Sequence, residues 1–73
     1  MTAVDVVLVF PSNSGTMIAT KALRDSGVAA RIIPTPRGIQ SPSNLSLSID
    51  LAAEHEAVSA LNAAKVSISA VHR

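Results

Sequence analysis

The hexapeptide Leu45-Ser46-Leu47-Ser48-Ile49-Asp50 alternates apolar and polar side chains without a break. Side chains of a strand point to opposite faces with period two, so the segment predicts a strand with one buried and one open face. Such a strand needs neighbours in a sheet and a layer packed on its apolar side, and the rest of the chain must supply both. Ala3–Phe10 is rich in β-branched residues, too short for a typical helix, and closed by the turn formers Pro11-Ser12-Asn13-Ser14-Gly15; it reads as a central strand. Ala30–Pro36 is short and branched, and because proline cannot donate to a ladder it is expected at a sheet edge. Val66–His72 alternates again and reads as the last strand.

Two helices separate these strands. Thr16–Asp25 holds good helix formers, with Ser12 and Ser14 as N-cap candidates and Gly27 as the stop. Leu51–Ala64 is alanine-rich, with Asp50 placed to cap it, Glu54 and Glu56 near its positive end and Lys65 just past its negative one. Arg37–Asn44 is the longest loop. The order strand, helix, strand, strand, helix, strand fits two right-handed crossover units. The expected fold is an α+β ferredoxin-like βαββαβ sandwich, a four-stranded antiparallel sheet with both helices on one face, formed by residues 1–73 as a single domain. A three-stranded sheet with a frayed fourth strand has the same element order, but the clean alternation of Val66–Val71 argues against it.

A chain of 73 residues buries only about 60% of the surface that it exposes when unfolded. It has no cysteine, and Phe10 is its only aromatic residue, so the core is thin and neither disulfides nor thiolate metal sites reinforce it. The basic residues Lys21, Arg24, Arg31, Arg37, Lys65 and Arg73 are dispersed and nearly balanced by acids, whereas nucleic-acid binding calls for clustered charge and aromatic platforms. No run approaches the roughly 18 apolar residues that span a bilayer, and Met1–Phe10 is acidic at Asp5 without a basic leader, a poor signal peptide. A cytoplasmic protein that binds neither nucleic acid nor membrane is expected.

Phe10-Pro11-Ser12, Ile33-Pro34-Thr35-Pro36-Arg37 and the polar loop before Leu45-Ser46-Leu47 resemble the DUF3343 family of short bacterial proteins, described as selenium or sulfur carrier-like. The resemblance runs from Val6 to about Ser69. Members commonly carry a Ser-Cys-Gly-like stretch before the third strand, and the resemblance implies that the sulfur of its cysteine is the carrier atom. Aligned on the Pro-Arg segment and on Leu45, that cysteine falls at Ser43 and the glycine at Asn44. The resemblance thus implies the fold, and the missing thiol removes the implied chemistry, because a serine hydroxyl is not an appreciable anion near neutral pH and does not hold persulfide sulfur.

Two candidate surfaces follow. The turn Ser12, Ser14 and Thr16 leads from a strand into a helix N-terminus, and with Arg37, Ser43 and Asn44 it forms a candidate site for a small anion or metabolite. Ordinary helix capping is the competing reading of that turn. Strand parity puts Val7, Val9, Ser46, Ser48, Ser67, Ser69 and Val71 on the open sheet face, a surface of hydroxyls and aliphatics without long charged side chains, suited to cover by a second copy or a larger enzyme complex. His55 and His72 lack a third ligand, so no metal is expected, and no other cofactor is implied. Without a Gly-x-Ser-x-Gly elbow or a carboxylate pair, Ser43 has no catalytic partners, and the chain reads as a binding module and not an enzyme.

Overall fold

The computed structural model describes residues 5–72. Strand β1 (Asp5–Val9) leads into helix α1 (Asn13–Asp25), followed by strands β2 (Arg31–Pro34) and β3 (Leu45–Asp50). A short 3-10 turn, Leu51–Ala53, precedes helix α2 (Glu54–Ala63), and β4 (Ala70–His72) completes the chain. The sheet order is β2-β3-β1-β4 with every neighbouring pair antiparallel, the ferredoxin-like arrangement expected of two interleaved crossover units. Strand β3 has the bounds that its alternation predicts, and β2, with Pro34, lies at an edge. The helical stretch expected over Leu51–Ala64 begins instead as the 3-10 turn, where Asp50 Oδ1 accepts the Ala52 N–H at 3.3 Å.

Strand pairing creates rows of side chains across the sheet. On the helix side, Val6 faces Ile49 and Leu8 faces Leu47, all buried. Ala19 and Leu23 of α1 and Ala57 and Leu61 of α2 pack onto them with Phe10 and Val28. The row Ile32, Leu47, Leu8, Val71 runs through all four strands. Its two central leucines are buried, whereas Ile32 is 43% and Val71 41% exposed, so two helices cover the middle of the sheet and leave its margins open.

On the other face the row is Ile33, Ser46, Val9, Ala70, and beside it Arg31, Ser48, Val7, His72. Two expectations are corrected here. Val9, Ser46 and Ser48 are buried and so are not an open surface; each serine is a short side chain in a central strand, shadowed by longer cross-strand neighbours. The last strand is also shorter than the predicted Val66–His72, and its parity is reversed. Ala70 shares the face of Val9, and Val71 shares that of Leu8. The Val66 N–H is committed to the end of α2, so regular alternation starts only later, and a one-residue offset turns every side chain over.

The two helices end alike. Val28 N donates to Leu23 O at 2.9 Å and Gly27 N to Arg24 O at 3.1 Å; Val66 N donates to Leu61 O at 2.9 Å and Lys65 N to Asn62 O at 3.1 Å. Both are Schellman caps, which place a residue in the left-handed region. In α1 that residue is Gly27 at φ 78°; in α2 it is Lys65 at φ 60°, the only described non-glycine residue with positive φ. A side chain there costs roughly 1–2 kcal/mol, against about 0.3–1 kcal/mol that a cation gains at a helix C-terminus. Gly15, inside the first turn of α1, is unfavourable in the opposite sense. A Cβ there would lie 3.5 Å from Ser12 Oγ and 3.6 Å from Phe10 Cβ, ordinary contact distances.

Urea unfolding should therefore show Lys65→Gly and Gly15→Ala each raising stability, by about 0.5–1 kcal/mol. In the core, Leu8→Ala should cost about 2–5 kcal/mol, most of the stability of so small a domain, while Ile32→Ala should cost well under half as much. Equal losses at the two positions would contradict the partial cover of the sheet.

Candidate functional site

The two segments singled out by sequence meet at the start of α1. Ser12 is its N-cap: Ser12 Oγ accepts the Gly15 N–H at 3.0 Å, and Ser12 O accepts the Thr16 N–H at 3.1 Å. The helix begins at Asn13, three residues before the expected Thr16, because Ser12 and not Ser14 provides the cap. Ser14 is exposed. Asn13 Oδ1 accepts the Asn44 N–H at 2.9 Å, tying the end of the long loop to the helix.

Behind this tie lies a group of buried hydroxyls. Thr16, fully buried, donates through Oγ1 to Leu45 O at 3.0 Å, with Ser12 O a second acceptor at 3.2 Å. Ser43, only 3% exposed, donates to the same Leu45 carbonyl at 2.8 Å. Its Oγ also lies 3.1 Å from Ser41 Oγ, which accepts the Ser43 N–H at 3.1 Å. Thr35 Oγ1 lies 2.7 Å from Ser46 Oγ and 3.2 Å from Ser43 O. With both lone pairs of the Leu45 carbonyl engaged, the cluster closes. No buried side-chain oxygen or nitrogen among the described residues lacks a partner.

Four expected residues, Ser12, Thr16, Ser43 and Asn44, thus come together, but mostly by bonding one another or neighbouring backbone. Arg37 is exposed in the same loop and makes no hydrogen bond or ion pair with a described residue. Of the expected interface residues, Val7 is partly buried, Ser67, Ser69 and Val71 are exposed, and Ser69 N donates to Val9 O at 2.7 Å outside the regular strand. Sequence reasoning missed Asn13, Thr35 and Ser41; only their residue types, not their spacing, signalled a hydroxyl and amide network. Among the described residues no group of three side chains is placed to hold a metal ion, and no helix is long and apolar enough to cross a membrane.

Residues 5–73 match the model of the family described as "Putative Se/S carrier protein-like". The chain belongs to this family. No curated protein and no solved structure matches the chain. The chain has no cysteine.

The hydroxyl cluster predicts a graded response. Ser12→Ala should lower stability by about 1 kcal/mol and Ser12→Asp should largely retain it. Thr16→Val keeps the side-chain shape but deletes the bond to Leu45 O, and should cost about 1–2 kcal/mol. Thermal or urea unfolding of the three variants checks this, and an unchanged Thr16→Val would mean that the buried hydroxyl does not brace the fold.

Proposed function

We propose that the protein is a non-catalytic binding module, a Se/S carrier-like domain without its thiol that acts in the cytoplasm by associating with a second copy or with a larger enzyme complex. The observation that carries this reading is Ser43. Where the resemblance puts the family's cysteine, this chain has a buried hydroxyl that donates to Leu45 O at 2.8 Å. Such a group neither ionises near neutral pH nor holds a chalcogen atom, and its hydrogen bonds brace the loop against α1.

Association is supported by the uncovered ends of the apolar row, Ile32 and Val71, at opposite margins of the sheet. Burying them would add to a core that has a single aromatic side chain. These margins replace the central face residues Val9, Ser46 and Ser48, which the fold itself buries. A second reading, a sensor of a small anion or metabolite at the Ser12–Thr16 turn and the Arg37 loop, draws support from the bond of Asn44 N to Asn13 Oδ1 that holds the end of that loop against the turn.

Light scattering on the purified chain, with native pull-down beside it, tests association. The wild type should form a dimer or recover one stoichiometric partner, and Val71→Lys or Ile32→Lys should abolish the complex while circular dichroism stays unchanged. A wild type that is monomeric and partnerless, or complexes indifferent to both lysines, would overturn the proposal.

A further inference from the structure

We infer that the groove between the start of α1 and the end of α2 is a binding site for a small carboxylate with an aliphatic body. The groove has a volume of about 400 Å³, and its walls include Pro11, Gly15, Ile18, Ala64, Lys65 and Val66. That volume lies in the range of roughly 300–1,000 Å³ typical of small-molecule sites.

Two of those wall residues are chosen against local stability. Gly15 occupies a helical position where a Cβ would meet only ordinary contacts, and Lys65 occupies a left-handed position that the matching cap of α1 fills with Gly27. They are 50 positions apart in sequence and are brought together only by the fold. Local rules are broken most often at functional sites, and here two such residues, Lys65 only partly compensated by its charge at the helix end, converge on one groove.

The chemistry of the walls selects the occupant. Lys65 is the only charged side chain lining the groove, and it makes no ion pair with a described residue. One lysine on a groove otherwise walled by Pro11, Ile18, Ala64 and Val66, with the hydroxyls of Ser12 and Ser67, matches one negative charge carried on an aliphatic chain. A phosphate dianion would be left half neutralised by a single lysine. The adjoining groove of about 390 Å³ on the other side of Ile18 carries Lys21 and Asp25, of opposite sign, and has no such preference. The cation of this site is thus Lys65 and not Arg37, and the inference does not depend on association through Ile32 and Val71, neither of which lines the groove.

The test is an NMR titration of the isotope-labelled full chain with hexanoate, with hexylamine and hexanol as charge controls. Hexanoate should give saturable shifts of the Gly15, Ile18 and Val66 amides with a Kd on the order of millimolar, and both controls should bind more weakly. Lys65→Gly, which retains the cap, should weaken hexanoate binding at least about three-fold, while Lys65→Arg in the groove and Lys21→Gln outside it should leave it nearly unchanged. Absence of saturable shifts, equal response to hexylamine or hexanol, or indifference to Lys65→Gly would each overturn the assignment.

Discussion

The fold depends on one non-local pairing, that of β1 with β3. Val6 against Ile49 and Leu8 against Leu47 form the buried centre of the sheet, and each remaining element is attached to that pair. Strand β2 extends it at the β3 side, β4 at the β1 side, and both helices cover its apolar face. With aliphatic side chains and one phenyl ring as the whole resource, there is enough apolar area to seal two strands but not four. The exposure of Ile32 and Val71 follows directly from that shortage.

Where apolar area runs out, hydroxyls take over the work of cohesion. Thr16 and Ser43 converge on the Leu45 carbonyl, and Thr35 joins Ser46 to the same corner. A buried hydroxyl stabilises little unless it is bonded, and is costly when it is not, so a fully satisfied set fixes one loop geometry with little tolerance for alternatives. Ser43 is itself part of that scaffold, bonded to Leu45 O and beside Ser41 Oγ.

The element order, the bounds of β3, the edge position of β2 and the Ser12 cap were legible because each rests on a local signal: period two, proline's missing donor, and a hydroxyl before a helix former. The parity of β4 was not. Val66–Ala70 alternates in sequence before the apolar pair Ala70-Val71 breaks the phase; the α2 cap takes the Val66 N–H, and the pairing with β1 picks up in the opposite phase. Burial of Ser46 and Ser48 was equally hidden, since it comes from cross-strand neighbours in β1 and β2 whose register local pattern does not reveal. Of the candidate site, the meeting of Ser12, Thr16, Ser43 and Asn44 was anticipated in membership but not in use, because residue type does not reveal whether a polar group faces a ligand or its own backbone. The left-handed Lys65 had one faint signal: Asn62-Ala63-Ala64-Lys65-Val66 ends a helix without a glycine.

The order in which these strands are synthesised is not the order in which they stand in the sheet. β1 is made first, yet its two neighbours are β3 and β4, the last of them ending at His72. During translation β1 therefore waits, apolar and unpaired, while α1 and the β2–β3 hairpin emerge, and the sheet closes only once β4 has followed. Long-range pairing of this kind slows folding relative to local helical packing and leaves a β-branched segment open to other chains in the interval. Asp5, which β3 meets with another carboxylate at Asp50, places a charge at one end of that waiting strand that discourages premature partners and that Arg31 of β2 meets at 3.5 Å in the finished sheet.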